Sequence, residues 1–108
     1  MRLSPLDPMT FYFQGALSGT HFVGEQYAEA ADYARHALQG SPAYLMAHRL
    51  LVASLAWLGR LDVAREAAHA LLALAPGDTL GKLAVSSALH GAALQRFLDG
   101  LRRAGLPE

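Results

Sequence analysis

Three prolines, Pro8, Pro42 and Pro76, stand 34 residues apart. A fixed period of that size marks a repeat architecture, in which each unit is one supersecondary motif that cannot bury its apolar face alone. The same shift of 34 carries Leu17 onto Leu51, Ala30 onto Ala64, Ala34 onto Ala68 and Leu38 onto Leu72, without a gap. Alanine supplies 21 of the 108 residues, so its matches weigh little, and the prolines are the more informative markers.

Each unit needs two helices, and the apolar spacing supplies them. Tyr27, Ala30, Ala31, Ala34 and Leu38 fall on one helical face, with Glu29, Asp32, Arg35, His36 and Gln39 largely opposite. The next unit repeats this with Leu61, Ala64, Ala68, Leu71 and Leu72 against Asp62, Arg65, Glu66 and His69. Paired alanines let antiparallel helices approach closely. Gly24 and Gly59 mark turns inside the units. Ser41-Pro42 and Pro76-Gly77-Asp78 separate them, because proline cannot continue a helix and favours a new first turn. The pattern predicts helices over 9–23, 27–40, 43–57, 61–74, 79–90 and 93–104, the last with Leu94, Phe97, Leu98 and Leu101 inward. Gly15 and Gly19 lie inside the first of these and read as close packing against a neighbouring helix rather than as a membrane dimer face.

The expected fold is all-α: antiparallel helix pairs stacked as a short right-handed superhelix, with about two repeats and a degenerate capping pair. Residues 1–108 form one domain, divided into the end of a preceding repeat (1–8), repeat one (9–42), repeat two (43–76) and a third repeat or cap (77–108).

Composition narrows the function. Nine basic and nine acidic residues give zero net charge, so no basic stripe is available for nucleic acid. The absence of cysteine excludes disulfides and thiol chemistry. The longest run free of charged residues, Pro8 to Gly24, carries Gln14, His21 and three glycines and is a poor bilayer span. No apolar segment follows Arg2 in the first ten residues, so no signal peptide is expected. The five histidines form no i, i+4 pair and no metal-binding His-Glu-x-x-His. Gly77-Asp78-Thr79-Leu80-Gly81-Lys82 is one residue short of a phosphate loop and lacks the hydroxyl after the lysine. Ser18 has the wrong spacing for a nucleophile elbow. No catalytic residue, metal or cofactor is expected.

Together the 34-residue interval, the leucine, the alanines and the closing proline resemble the tetratricopeptide repeat family over most of the chain. The match is partial. Gln14 and His48 stand where the family has a large first-helix aromatic, Val52 where it has a small residue, and Ala34 and Ala68 where it has a second-helix aromatic. A narrower resemblance rests on the segment 2–8, on His21-Phe22, on Tyr27-Ala28-Glu29-Ala30 and on the last nine residues, Gly100 to Glu108. These look like the C-terminal end of bacterial proteins in which a class III adenylate/guanylate cyclase domain precedes such repeats, and related repeat tails occur behind winged-helix transcriptional regulators. That resemblance implies a cytoplasmic regulatory tail, with Met1 inside a longer protein and residue 108 a natural C-terminus.

Laying the family's groove pattern on the chain selects Tyr12, Gly15, Gly19 and Phe22, then Met46, Arg49, Ala53, Ala56 and Trp57, then Leu80, Leu83 and Ser87. An apolar surface with one central cation suits an amphipathic helix or peptide of a partner protein, with Arg49 fixing an acidic end. Trp57, Tyr12 and Arg49 are hot-spot residue types. Phe22 and Trp57 also fit packing against the next helix pair, and both readings stay open. Trp57→Glu is expected to abolish association and leave the fold intact. The exposed ends of a short stack give self-association a motive. The alternative is a small-ligand pocket between Phe22, Trp57 and His90. The expectation is an interaction or dimerisation module, not an enzyme, with protein partners and neither nucleic acid nor membrane.

Overall fold

A computed structural model describes residues 8–108. The expected end of a preceding repeat at 1–8 lies outside them apart from Pro8. All regular structure among the described residues is helical: α1 (Pro8–Val23), α2 (Tyr27–Gly40), α3 (Leu45–Trp57), α4 (Leu61–Leu74), α5 (Leu80–Ser86) and α6 (Gly91–Arg103). Pro8 opens α1, a position where the missing N–H costs nothing. Tyr44 holds an extended backbone ahead of α3, which therefore starts two residues later than its spacing suggests.

The 34-residue period is written into the backbone. The Gln26 N–H donates to the His21 carbonyl at 2.8 Å, and 34 residues on, the Arg60 N–H donates to the Leu55 carbonyl at 3.0 Å. Both bonds close a helix with its next residue but one in the left-handed region. In the second turn that residue is Gly59 (φ 79°), as expected. In the first it is Glu25 (φ 60°), not the neighbouring Gly24. A left-handed non-glycine costs about 1 kcal/mol or more. The ends of α2 and α4 repeat as well: the Ser41 N–H donates to Ala37 and the Ala75 N–H to Leu71, at 2.9 and 2.8 Å.

Buried Ala30, Ala34, Ala64 and Ala68 let the helices pair closely. The buried Ser18 hydroxyl crosses from α1 to α2 and donates to the Ala30 carbonyl at 2.7 Å, which satisfies the hydroxyl. α3 is central, packed against α2, α4 and α6 and more lightly against α1.

The third pair does not follow the first two. α5 ends four residues before its expected limit, where Ser87 turns extended (φ −70°, ψ 145°). Two hydroxyls draw the backbone away from the helix: Ser86 donates to the Lys82 carbonyl at 2.9 Å, and Ser87 accepts from the Leu89 N–H at 3.1 Å. α6 then lies across α3. Gly105 (φ 98°) turns the chain back, Leu106 is buried, and the Pro107 carbonyl accepts the Leu80 N–H at 2.9 Å, so the C-terminal residues tie α6 to α5.

Candidate functional site

The apolar face expected to receive a partner is divided in two by α6. On one side the chain covers its own face. α6 places Phe97, Leu98 and Leu101 inward and Asp99, Arg102 and Arg103 outward, a strongly amphipathic helix. Phe97 stands edge-on to Phe22 with centroids 6.0 Å apart. Gly100 lets the two backbones meet, since a Cβ there would lie 2.9 Å from the Ala53 carbonyl oxygen and 3.1 Å from Trp57 Cδ1. Polar groups then fix the register. Trp57 Nε1 donates to the Arg96 carbonyl at 2.6 Å. The Arg96 guanidinium donates to the carbonyls of Phe22 and Val23, both at 3.1 Å, and to the Tyr27 hydroxyl at 3.0 Å. A cation on the last carbonyls of α1 also meets the negative end of that helix. Arg103 lies 4.2 Å above the Trp57 ring, whose other neighbour is Tyr27, stacked at 5.8 Å.

These contacts place Phe22 and Ala53 fully inside the molecule and leave Trp57 half-buried. Of the two readings of Phe22 and Trp57, the geometry is that of packing against the chain's own last helix. Trp57→Glu would strip a hydrogen bond and two ring contacts, so its expected effect now includes loss of stability. The small-ligand pocket foreseen between Phe22, Trp57 and His90 is not formed by those three. Tyr27 stands between the first two, 5.3 Å from the Phe22 ring, and His90 is exposed at the start of α6.

Arg49 has an acidic partner within the chain. Its guanidinium binds the Asp78 carboxylate with two bonds of 2.8 and 2.9 Å. The side chains are only 19% and 12% exposed, so the pair is largely shielded and ties α3 to the turn before α5. Leu80 and Leu83 are buried core residues of α5. Ser87 lies in the α5–α6 connection, engaged with the Leu89 amide.

On the other side of α6 the face stays open. Tyr12, Gly15, Ala16 and Gly19 of α1, Tyr44, Met46 and Leu50 around the start of α3, and Ala88 and Leu89 of the α5–α6 connection line an apolar groove of about 260 Å³. Tyr12 and Met46 are the two proposed site residues that it brings together, with Gly15 and Gly19 between them. Tyr44 forms its wall, stacked on Tyr12 at 6.5 Å and edge-on to Phe11 at 5.3 Å. Burial first, and Tyr12 second, push the Tyr44 phenol above its ordinary range, so it stays neutral at physiological pH. Gly15 leaves room for the Tyr44 ring, because a Cβ there would lie 2.5 Å from that ring's Cε2. Gly19 does not: the nearest side-chain atom is Leu50 Cδ1 at 3.8 Å. Tyr44 and Leu89 were not picked out from the sequence, and their only sequence signal is apolar character beside a helix start.

No helix among the described residues is long and apolar enough to cross a membrane. No family model matches the chain, and neither a curated protein nor a solved structure is detectably similar to it.

Proposed function

We propose that the chain is a protein-interaction module of helical-repeat type that takes one face of a partner's amphipathic helix into the Tyr12–Met46 groove. The observation that carries this reading is the division of the apolar face. The half beside the groove is already filled by an amphipathic helix, α6, through Phe97 and Leu101, so this surface suits a helix as occupant. The open half has the same apolar character and an aromatic wall. By resemblance to tetratricopeptide-repeat tails, the module serves a cytoplasmic bacterial signalling protein.

A small-ligand site is the weaker reading. The groove's volume of about 260 Å³ falls below the roughly 300–1,000 Å³ of ordinary small-molecule sites, and it is open along one side.

The test is a photo-activatable residue at position 46, in the source cell, compared with the same probe at Glu66 on the charged side of α4. One partner adduct from position 46, lost when Gly19→Leu fills the groove, is the expected result. An adduct that survives Gly19→Leu, or that forms equally from position 66, removes the groove from the reading.

A further inference from the structure

The sixteen residues of α1 include no Asp, Glu, Lys or Arg. Its outward side shows Tyr12, Phe13, Leu17 and Val23 at 57%, 47%, 42% and 48% exposure, with Ala16 and Thr20 exposed between them. Steps of three and four place these residues on one side of the helix, a stripe about 16 Å long from Tyr12 to Val23 at 1.5 Å per residue. Of nine large hydrophobic residues exposed among the described residues, five belong to α1, which makes this a patch and not ordinary scatter.

The repeat shows what kind of surface this is. A shift of 34 residues carries Phe13, Ala16 and Thr20 onto Ala47, Leu50 and Ser54 of α3, and all three of those are buried. α3 is covered by its neighbours at the positions where α1 is bare. α1 is the first helix among the described residues, and its outward side is an apolar patch of the kind seldom left in water.

We propose that α1 of a second copy covers it, antiparallel about a two-fold axis, so that the chain is a homodimer through α1. Charge selects this occupant. The other helices of the described chain all carry charge, and α4, at the other end of the two repeated pairs, turns Asp62, Arg65, Glu66 and His69 to solvent. A head-to-tail stack would press that charged side onto the apolar stripe and desolvate it. Pairing α1 with its own copy sets Phe13 and Leu17 against the same apolar surface, brings no like charges together and closes the assembly at two. The proposal rests on the reading of the chain as an association module; its stripe meets the groove at Tyr12 and Ala16, but centres on Phe13 and Leu17, which do not line the groove.

The experiment is light scattering on the full chain, with an expected mass of roughly twice 11.5 kDa. Leu17→Glu is expected to weaken self-association at least about thirtyfold while the helical circular dichroism is kept. The chain has no cysteine, so Leu17→Cys gives a second readout: oxidation should link two copies, whereas Val63→Cys on α4 should not. A monomer at about 100 µM, where a micromolar interface would be saturated, overturns the proposal. Linkage through Val63→Cys and not Leu17→Cys overturns it too, by moving the interface. A dimer mass that survives Gly19→Leu while the partner adduct is lost supports it, and separates its fate from that of the groove.

Discussion

The closed and open halves of the apolar face are built from the same two helices, α1 and α3, yet they hold different chemistry. The closed half has fasteners that specify one occupant in one register: the Trp57 N–H, the Arg96 guanidinium on the end of α1, and the backbone approach at Gly100. The open half presents aromatic and aliphatic surface, and none of its lining side chains is charged. Apolar burial is non-directional, so the open half can accept a range of helices, while the closed half accepts α6. Affinity and specificity have been given to different ends of one face.

The largest expected effect comes from emptying the closed half. Phe97→Ala removes a fully buried ring that meets Phe22, and loss of about 3–5 kcal/mol is expected in urea denaturation. Trp57 emission should shift to the red as α6 loosens. An unchanged midpoint would mean that α6 contributes little to the fold, and the two halves would then be alike.

Arg96→Ala tests the fasteners while leaving the buried apolar side chains of α6 in place. Three donated bonds and the contact of the guanidinium with the Phe22 ring, at 5.7 Å, are lost. The Phe22 carbonyl keeps its bond from the Glu25 N–H, and exposed Val23 can turn its carbonyl to water. A loss of about 2 kcal/mol is expected. Arg96→Lys should recover less than half of it, because an ammonium cannot span three acceptors held in a fork. Full recovery by lysine would reduce the role of Arg96 to its charge.

How much of this was legible follows from the range of each signal. The helices were, because a 34-residue period and a 3.6-residue apolar spacing are local patterns, and α2 and α4 start and stop where the spacing puts them. The end of α5 was missed although Ser86-Ser87 stood in plain view: hydroxyls that compete for the backbone act locally, but helical spacing continued past them. The docking of α6 was out of reach. Gly100 in a helix is only a weak signal until Ala53 is known to lie against it, and the Arg49–Asp78 pair joins residues 29 apart with no pattern to link them. Tyr12 and Met46 line the open groove, between the first helix and the start of the third. Phe22, Ala53 and Trp57 lie under α6 instead, and no local pattern in the sequence separates the two sets.

The sharpest comparison is one substitution made on each side. Gly100→Ala puts a Cβ 2.9 Å from the Ala53 carbonyl oxygen and 3.0 Å from the Ala53 Cα, both backbone atoms that cannot swing aside. α6 must move off α3, at a cost of about 1–3 kcal/mol. Gly19→Ala meets only the end of a leucine side chain at 3.8 Å, an ordinary contact, in the middle of α1. There the gain in helix propensity is uncontested, and stability should rise by about 0.5–1 kcal/mol. Thermal melts of the two variants should therefore move in opposite directions from the parent. A fall with Gly19→Ala would show that the groove floor is already filled by close packing, and the open half would lose its claim to be a binding surface. A rise, with weaker partner capture, would show that glycine is kept at position 19 for the room it leaves above Leu50 and not for the stability of α1.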